Sequence, residues 1–480
     1  MIAKEGLKHY FGFTDFRPGQ ENIVQNILDG RDVCAILPTG GGKSICFQLP
    51  AVLLPQPTIV ISPLISLIRD QVAHLLARGI ASAALHSQIS QSEQINILHQ
   101  FCAGRIKLLY LSPERLQQKL FNFFIPQMKL GLLVIDEAHC ISAWGHDFRP
   151  EYMQISNFVS KLSVRPKIAA FTASATPKVE QEIISSLQLH QPFIFRTSSA
   201  RTNLSITVVP TQSNIVRVIY LIRLLRMFAG QKIIVYCQTR DMTQNLAGLI
   251  CKHFPEIKAG YYHGRLDKEA RYLRETEFGQ NKYQVMLATT AFGMGIDLPD
   301  IRAVIHVGVP GSIEQYYQEI GRSGRDGLSA HTFLLTHPSD WDVALSLAIS
   351  ADPETQRQNH HRLQKMFDFI HSKSCRMCLI ADYFGDDSKT TCQKCDNCLK
   401  TQKPHPLILF EKSSVRLQLL QALSKSCHQL LTDQQMTWLS LFTPQTHQNL
   451  SQIPGFGQRL TDLLWPIIEP IMIKYAHEIR

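Results

Sequence analysis

A glycine-rich turn that follows an apolar run is the feature that most constrains how this chain can fold. Residues 33–37 are apolar, and residues 38–44 read Pro-Thr-Gly-Gly-Gly-Lys-Ser. Such a run indicates a buried parallel strand, and the glycines let backbone N–H groups crowd around phosphate oxygens where a helix begins. Lys43 would reach the β- and γ-phosphates, and Ser44 would bind Mg²⁺. We expect ATP contacts from Thr39, Gly40, Gly41, Gly42, Lys43 and Ser44.

A pair of acids supplies the second half of the same expected site. The strict phosphate-loop pattern has glycine where Leu37 stands. Taken alone, the turn could therefore be a glycine-rich connection between a strand and a helix that binds no phosphate. A second apolar run, residues 132–135, ends at Asp136 and Glu137. Asp136 can bind Mg²⁺ directly or through water, and Glu137 can polarise the attacking water. Acids alone are also common at a solvated helix N-terminus, but both halves together predict ATP hydrolysis.

Strand-like runs alternate with longer amphipathic stretches, which is typical of a parallel α/β architecture. The first series of runs is 33–37, 58–62, 107–111, 132–135 and 168–172, and the second is 232–236, 285–288, 303–307 and 331–335. Between the two series, residues 197–203 are polar. We predict two α/β lobes joined near residue 200, with ATP bound in the cleft between them.

The composition indicates a soluble enzyme with several domains. At roughly 150 residues per domain, 480 residues suggest about three. The formal charge of +10 favours an anionic partner. The first 13 residues contain no signal-peptide pattern, and no run of about 18 apolar residues follows. We expect no membrane partner and a cytoplasmic location, associated with the nucleoid in a bacterium or nuclear in a eukaryote.

Two arginines in the second series are candidates for catalysis. Residues 318–327 place Arg322 and Arg325 three residues apart, a spacing that directs both toward one phosphate. Such an arginine stabilises charge that develops on the γ-phosphoryl group. A pair of surface arginines is the alternative. In residues 288–297, a strand end followed by a glycine turn and an acid, we assign Asp297 to nucleotide binding and Thr289 to DNA binding.

Five of the twelve cysteines are clustered. Cys392, Cys395 and Cys398 are separated by two-residue gaps, and Cys375 lies upstream. Four thiolates can close a tetrahedral zinc site, whereas disulfides are not expected in an unsecreted protein. Cys378 is one helical turn from Cys375 and could compete with it as the fourth ligand.

These motifs, in this order, resemble the RecQ family of superfamily-two DNA helicases from about residue 10 to residue 399. The resemblance implies two RecA-like lobes, a helical zinc-binding module with Cys375 rather than Cys378 as ligand, and a small helical C-terminal domain. Residues 11–20 match the adenine-recognition element, in which Phe13 stacks on the base, Gln20 hydrogen-bonds its edge and Arg17 also contributes. Residues 172–176 match the segment that links hydrolysis to strand movement.

The resemblance also implies a path for single-stranded DNA. Segments 62–67 and 112–115 match those that hold the strand, with Ser62 and Arg115 as contacts. Residues 139–150 resemble an aromatic-rich loop that senses the strand and triggers hydrolysis. Independently of the resemblance, ring faces in this loop can stack on bases. We expect DNA contacts there from Trp144, His146, Phe148 and Arg149.

The C-terminal part departs from many RecQ proteins. Only a short linker follows the zinc module, so we expect no winged helix. Residues 450–460 read as helix, glycine turn and helix, and resemble an HRDC domain; a helical interaction module or a degenerate winged helix is the alternative. We expect a first lobe at 1–199, a second at 200–345, a zinc module at 346–402 and an HRDC-like domain at 412–480.

By resemblance, the expected function is unwinding of tailed or forked DNA in the 3′ to 5′ sense during repair or recombination. Expected cofactors are ATP, Mg²⁺ and Zn²⁺, and family partners include a single-strand-binding protein and a topoisomerase. A DNA-stimulated translocase, an annealing factor with little unwinding, and an RNA helicase are the alternatives.

Overall fold

The computed structural model describes residues 2–38, 40–142, 148–293, 298–386 and 390–399. It also describes residues 415–479, apart from 428–429, 433–434, 437–438, 440–443, 445 and 452–455.

The first lobe is built on a seven-stranded sheet in which all neighbouring strands are parallel. Its strands are β1 (Val33–Ile36), β2 (Thr58–Ile61), β3 (Ser82–Leu85), β4 (Leu108–Leu111), β5 (Leu132–Ile135), β6 (Lys167–Thr172) and β7 (Phe193–Arg196). They lie in the order β3-β4-β2-β5-β6-β1-β7, with Val33 opposite Ala169 in the register of β1 and β6. The carboxyl ends of β1 and β5 therefore meet at one edge of the sheet, where ligands bind in such folds.

The second lobe has a six-stranded sheet, also parallel throughout. Its strands are β8 (Leu204–Pro210), β9 (Lys232–Cys237), β10 (Ala259–Tyr262), β11 (Val285–Ala288), β12 (Ile301–Val307) and β13 (Ala330–Thr336). They lie in the order β10-β11-β9-β12-β13-β8. Residues 197–203, here called the linker, join β7 of the first sheet to β8 of the second.

Helices cover the sheets and form the C-terminal part. Seven of them start after a serine, threonine or aspartate whose side-chain oxygen accepts a main-chain N–H of the first turn. The helices are α1 (Ala3–Gly6), α2 (Gln20–Leu28), α3 (Lys43–Leu53), α4 (Ile65–Leu76), α5 (Gln91–Cys102), α6 (Lys119–Phe124), α7 (Gln154–Ser160), α8 (Pro177–Ser186), α9 (Asn214–Met227), α10 (Arg240–His253), α11 (Lys268–Gly279), α12 (Ile313–Ile320), α13 (Asp340–Leu347), α14 (Pro353–His371), α15 (Arg376–Tyr383), α16 (Asp396–Leu399), α17 (Val415–Cys427), α18 (His447–Ser451) and α19 (Gln458–Ile479).

Both faces of each sheet are buried, which explains why the central strands are continuous apolar runs. In β5, Leu132 and Val134 pack into one hydrophobic cluster, and Leu133 and Ile135 pack into another on the opposite face. Successive side chains of a strand point to opposite faces, so a strand covered on both sides has no polar positions.

The helical segments after β13 pack on the two faces of the second sheet. Phe369 and Phe384 of the zinc-module region belong to the cluster that contains Ile234 of β9, whereas Leu419 and Leu464 belong to the cluster that contains Ile233. The predicted fold class, two parallel-sheet lobes followed by helical segments, is confirmed. Within the described part of the chain, no helix combines the length and apolar character that a membrane span requires.

Candidate functional site

The predicted phosphate loop follows β1 and leads directly into α3, which begins at Lys43. Gly40 and Gly42 have φ values of +81° and +77°, a left-handed backbone that glycine adopts without strain. A Cβ atom on Gly42 would lie 2.4 Å from Nε2 of Gln20, so a larger residue would displace the Gln20 amide. The first N–H groups of a helix lack partners within the helix. The loop therefore places an anion-binding helix end at the carboxyl edge of the first sheet.

Residues at the start of α2 hold this loop in place. Gln20 Nε2 donates to the carbonyl of Gly42 over 3.0 Å, and Gln20 Oε1 accepts the N–H of Arg17 over 2.9 Å. Arg17 in turn donates to the carbonyl of Gly40 over 2.5 Å. Phe13 is 51% exposed and lines the same cleft. The amide of Gln20 is thus engaged by the protein at both ends, whereas the ring of Phe13 is open to a base.

The predicted acidic pair follows β5 and faces the loop. Asp136 accepts hydrogen bonds from the Ser62 hydroxyl at 3.1 Å and from the Glu137 N–H at 3.0 Å. Glu137 Oε1 lies 3.7 Å from Lys43 Nζ, which brings the two halves of the expected site together. Burial, and then the neighbouring Glu137 charge, raises the pKa of Asp136 above its usual value. Glu137 itself has φ +48°, a strained conformation of a kind that clusters at functional sites.

The second lobe contributes two arginines to the opposite wall. Arg322 is buried and donates to the carbonyl of Gly293. A Cβ atom placed on Gly40 would lie 3.3 Å from the Cγ atom of Arg325. The Arg325 side chain therefore packs against the phosphate loop of the first lobe. Both arginines line the cleft that also contains Lys43.

This cleft between the lobes has a volume of about 680 Å³, and its residues fit a nucleotide with a divalent cation. Within the described part of the chain, the buried donor atoms Lys43 Nζ and Arg322 Nε line the cleft and have no hydrogen-bond partner. Unpaired buried donors suit phosphate oxygens, because such donors are costly to leave unsatisfied. The hydroxyl of Ser44 and the carboxylate of Asp136 are the oxygen ligands that Mg²⁺ prefers.

The cysteine cluster lies in the helical region after the second sheet. The Sγ atoms of Cys375, Cys392, Cys395 and Cys398 all lie within 4.8 Å of one another, which fits a four-thiolate zinc site. The hydrogen bond from Cys392, together with main-chain donors, lowers the pKa of the Cys395 thiol and favours the thiolate. Cys378 stays outside this group, and its Sγ contacts the carbonyl of Thr390 at 3.4 Å.

The expected DNA contacts fall into different environments. Phe148 is 43% exposed, and Arg149 donates to the carbonyl of Pro63 over 3.2 Å. Thr289 is half-buried, whereas Arg115 is buried with Nη1 3.4 Å from Gln94 Oε1. The other expected DNA contacts, Trp144 and His146, lie outside the described residues, as do the expected nucleotide contacts Thr39 and Asp297.

Ser62 differs from the sequence expectation. The side chain is only 1% exposed, and its hydroxyl is bonded to Asp136. In this structure the hydroxyl therefore supports the acid of the expected nucleotide site, and the DNA contact of Ser62 stays a prediction. The segment follows β2, whose carboxyl end is adjacent to that of β5, and this adjacency brings the hydroxyl to the acid.

Three family models match successive parts of the chain. A DEAD/DEAH box helicase model matches residues 17–183, a helicase conserved C-terminal domain model matches 216–327, and a RecQ zinc-binding model matches 333–399. The ATP-dependent DNA helicase RecQ of Bacillus subtilis is 36% identical over 467 residues, covering 95% of this chain and 78% of that protein. The chain belongs to the RecQ family. It has the domain content of an ATP-dependent DNA helicase of this family, including its zinc-binding region.

Other RecQ relatives are longer than the chain. The ATP-dependent DNA helicase RecQ of Pasteurella multocida is 38% identical over 409 residues, and the match covers 84% of this chain but 63% of that protein. The chain thus spans less than two thirds of this relative.

Among solved structures, the DEAD-box helicase Mss116 bound to single-stranded RNA matches 98% of this RecQ chain and 94% of its own, with a TM-score of 0.62 and 16% identity. Mycobacterium smegmatis Lhr bound to single-stranded DNA matches 75% of this chain and 50% of its own, with a TM-score of 0.57 and 18% identity. At these identities the likeness extends to the fold alone.

Sequence reasoning assigned no individual role to three residues that surround the acids of this RecQ chain. His139 Nδ1 lies 3.3 Å from Glu137 Oε2 and 2.9 Å from the Thr172 hydroxyl. The Tyr152 hydroxyl donates to the main-chain carbonyl of Asp136 over 3.0 Å. The contacts of His139 join the acidic pair to the end of β6. Residues 139–150 and 172–176 both match family motifs. That match was the signal from which the contact between His139 and Thr172 could have been predicted.

Proposed function

We propose that this RecQ-family chain hydrolyses ATP to move 3′ to 5′ along single-stranded DNA and to separate duplex DNA during repair and recombination. The observation that carries the proposal is the cleft between the lobes, where Lys43 and Glu137 of the first lobe face Arg322 and Arg325 of the second. The polarity and the biological setting rest on the family resemblance.

In this proposal, Lys43 and the first N–H groups of α3 bind the phosphates, and Phe13 stacks on the adenine. Ser44 and Asp136 hold Mg²⁺, which neutralises phosphate charge when bound. Glu137 orients the attacking water and accepts its proton. We assign Asp297, Thr39, Gly40 and Gly41 to the same site.

The arginines give the second lobe a role in hydrolysis. Arg325 already packs against the phosphate loop, so a small movement of the lobes changes its distance from the phosphates. An arginine supplied to the γ-phosphoryl group stabilises the transition state more than the bound substrate. Closing of the lobes, alignment of Arg322 and Arg325, and hydrolysis are therefore coupled, and release of the products allows the lobes to reopen.

We propose that single-stranded DNA runs along the aromatic-rich loop, where Trp144 and Phe148 stack on bases and His146 and Arg149 contact the strand. Stacking on an aromatic side chain contributes about 1 to 3 kcal/mol per base. Arg115 and Thr289 extend the contacts along the two lobes. Trp144→Ala would then weaken the stimulation of hydrolysis by DNA.

We further propose the domain limits 1–199, 200–345, 346–402 and 412–480, with zinc bound by Cys375, Cys392, Cys395 and Cys398. Tailed and forked DNA, a single-strand-binding protein and a topoisomerase are the proposed partners, in the cytoplasm of a bacterium or the nucleus of a eukaryote. The last domain is HRDC-like. Among the described residues after Leu399, no β-strand occurs, and we propose that strand separation proceeds without a β-hairpin wedge there.

The deciding experiment measures ATP hydrolysis with and without single-stranded DNA, beside strand separation on duplexes with either a 3′ or a 5′ tail. We expect DNA-stimulated hydrolysis and separation of the 3′-tailed duplex only. Lys43→Ala should lower hydrolysis by at least about 100-fold while the thermal melting curve is unchanged. Lys119→Ala is the matched control, because Lys119 is an exposed lysine of the same lobe.

The other candidate activities give different results in the same experiment. Stimulated hydrolysis without strand separation would indicate a translocase that needs a partner. Annealing of complementary strands without hydrolysis would indicate an annealing factor. RNA of matched sequence should stimulate hydrolysis less than DNA does, and the reverse order would make the chain an RNA helicase.

A further inference from the structure

A carboxylate of the zinc-binding region is bonded to the linker between the lobes. Asp386, which follows α15, accepts hydrogen bonds at one carboxylate oxygen from the Ser199 N–H at 2.5 Å and the Ser199 hydroxyl at 2.6 Å. Ser199 is buried and lies 187 residues earlier in the chain. Charged acceptors make the stronger class of hydrogen bond, so this pair fixes the middle of the linker.

The same segment also contacts the first lobe. Arg196, the last residue of β7, donates to the carbonyl of Phe384 over 2.8 Å and to that of Ala175 over 2.9 Å. Gly385 lies against the start of α8, and a Cβ atom on it would be 2.6 Å from Cγ of Pro177. Gly385 has φ +79°, so both the space and the backbone require glycine here.

A third set of contacts reaches the second lobe. The Tyr317 hydroxyl donates to the carbonyl of Ser199 over 3.0 Å, and its ring centroid lies 4.9 Å from that of Phe384. Tyr317 belongs to α12, which ends two residues before Arg322. The segment 384–386 therefore contacts the first lobe, the linker and the helix that leads to the catalytic arginines.

We propose that residues 384–386, here called the hinge clasp, hold the two lobes at the spacing that hydrolysis requires, with Asp386 as the positioning residue. The inference rests on the proposed function, because it assigns Arg322 and Arg325 to the hydrolytic step. Lys43 and Phe13, which would bind ATP in the ground state, belong to the first lobe and do not depend on the clasp.

The clasp should therefore affect turnover rather than ATP binding. Misplacing a catalytic group by about 1 Å can lower a rate by about 100-fold, whereas ground-state contacts made by one lobe are unchanged. We expect Asp386→Ala to lower kcat by about 10- to 100-fold and to leave KM for ATP within about 3-fold of its original value. Asp386→Asn keeps an oxygen that accepts both Ser199 donors, so it should restore most of the kcat.

Tryptic cleavage after Arg201 gives a readout that does not require ATP hydrolysis. Arg201 donates to the carbonyls of Ser323 and Gly324 at 3.2 and 3.0 Å, so trypsin reaches it only when the linker opens. Loss of the clasp should accelerate this cleavage by about 10-fold, as measured by mass spectrometry of the peptide that ends at Arg201. Zinc content should not change, since Asp386 is not a ligand in the cysteine cluster.

Asp382→Ala is the matched control. Asp382 is an exposed carboxylate of the same helix end, and its side chain makes no hydrogen bond to the described residues. The clasp is refuted if Asp386→Ala retains the original kcat and cleavage rate, if it loses zinc, or if Asp382→Ala has an equal effect. If the unaltered chain hydrolyses no ATP, the proposed function fails, and the cleavage rates alone decide whether the clasp holds the linker.

Discussion

Gln20 donates its side-chain amide to the main-chain carbonyl of Gly42 over 3.0 Å. This bond ties the start of α2 to the residue that precedes Lys43, so it fixes the backbone around the expected phosphates. The resemblance to the RecQ family implies that Gln20 hydrogen-bonds the adenine edge, which stays a prediction. In the structure, its amide positions the loop that we propose to bind the other end of the nucleotide.

Gln20→Ala should therefore weaken ATP binding through the loop. The Gln20 amide donates to the carbonyls of both Gly41 and Gly42, and a hydrogen bond of this kind contributes about 1 kcal/mol, so we expect KM for ATP to rise by roughly 10-fold. The same increase should occur with GTP, because the lost contact is to the protein and not to the base. Steady-state kinetics with both nucleotides measures this. A rise in KM for ATP but not for GTP would instead indicate that Gln20 recognises the base. Asn22→Ala, an exposed change on the same helix, is the control and should leave KM unchanged.

The interior strands of both sheets were predictable, and the edge strands were not. All nine predicted runs correspond to strands that have neighbours on both sides. The four strands that the pattern missed, β3, β7, β8 and β10, are the four sheet edges. Edge strands bury less surface, so their sequences include serine, glycine or partly exposed positions and lack a continuous apolar run.

The site was predictable where a motif is local and not where it depends on distant contacts. Lys43, Asp136, Glu137, Arg322 and Arg325 were placed in one cleft from their motifs, and the structure brings them together. The bond between Asp386 and Ser199 joins residues 187 positions apart. No periodicity in the sequence encodes such a pair, because a single carboxylate and a single hydroxyl leave no pattern.

Arg325→Ala should reduce turnover and leave ATP binding nearly intact. Its side chain packs against Gly40 from the opposite lobe, as a group that contacts the γ-phosphoryl charge in the closed state would. Removal of such an arginine costs about 10³-fold in kcat or more, and we expect KM to change by less than about 3-fold. Arg325→Lys should recover only part of the rate, because an ammonium group lacks the planar fork of a guanidinium. Arg105→Ala, at an exposed position of the first lobe, is the control. A rise in KM with unchanged kcat would assign Arg325 to substrate binding instead.

Zinc removal should impair hydrolysis, although none of the four clustered cysteines lines the nucleotide cleft. Lys394, between two of the clustered cysteines, donates to the carbonyl of Thr202 in the linker over 2.8 Å. Its own carbonyl accepts the Ser205 hydroxyl over 2.8 Å. Structural zinc sites supply folding energy to the segments that bind them, so Cys395→Ser should lose zinc, lower the melting temperature and reduce kcat.

The variant Cys378→Ser tests whether Cys378 is a zinc ligand. Cys378 lies outside the group of four thiols, so this variant should keep its zinc and its activity. Metal content by atomic absorption, measured for Cys375→Ser and Cys378→Ser in parallel, checks the assignment. If Cys375→Ser retained zinc and Cys378→Ser lost it, Cys378 rather than Cys375 would be the fourth zinc ligand.

Asp32 should stabilise the first lobe in a manner that depends on pH. It is buried and accepts hydrogen bonds from Arg165 at 2.7 Å, the His190 N–H at 2.8 Å and the Ile168 N–H at 3.0 Å. Burial alone would raise the pKa of Asp32, but the bond from Arg165 and the two main-chain bonds outweigh it, so the pKa lies below the ordinary value of 3.8. The folded state thus favours the carboxylate, and Asp32→Asn should cost about 2 to 3 kcal/mol at neutral pH.

The pH dependence of this difference has a defined sign. Because the pKa is lower in the folded state, the stabilisation is complete above pH 3.8, the unfolded value, and is lost as the pH falls through the folded value. The melting temperatures of the original chain and of Asp32→Asn should therefore differ by a constant amount from pH 7 down to about pH 4 and converge below it. Asp29→Asn, an exposed change at the end of α2, controls for the loss of one negative charge. A difference that grew as the pH fell would mean that the folded state favours the protonated acid, contrary to the hydrogen bonds around Asp32.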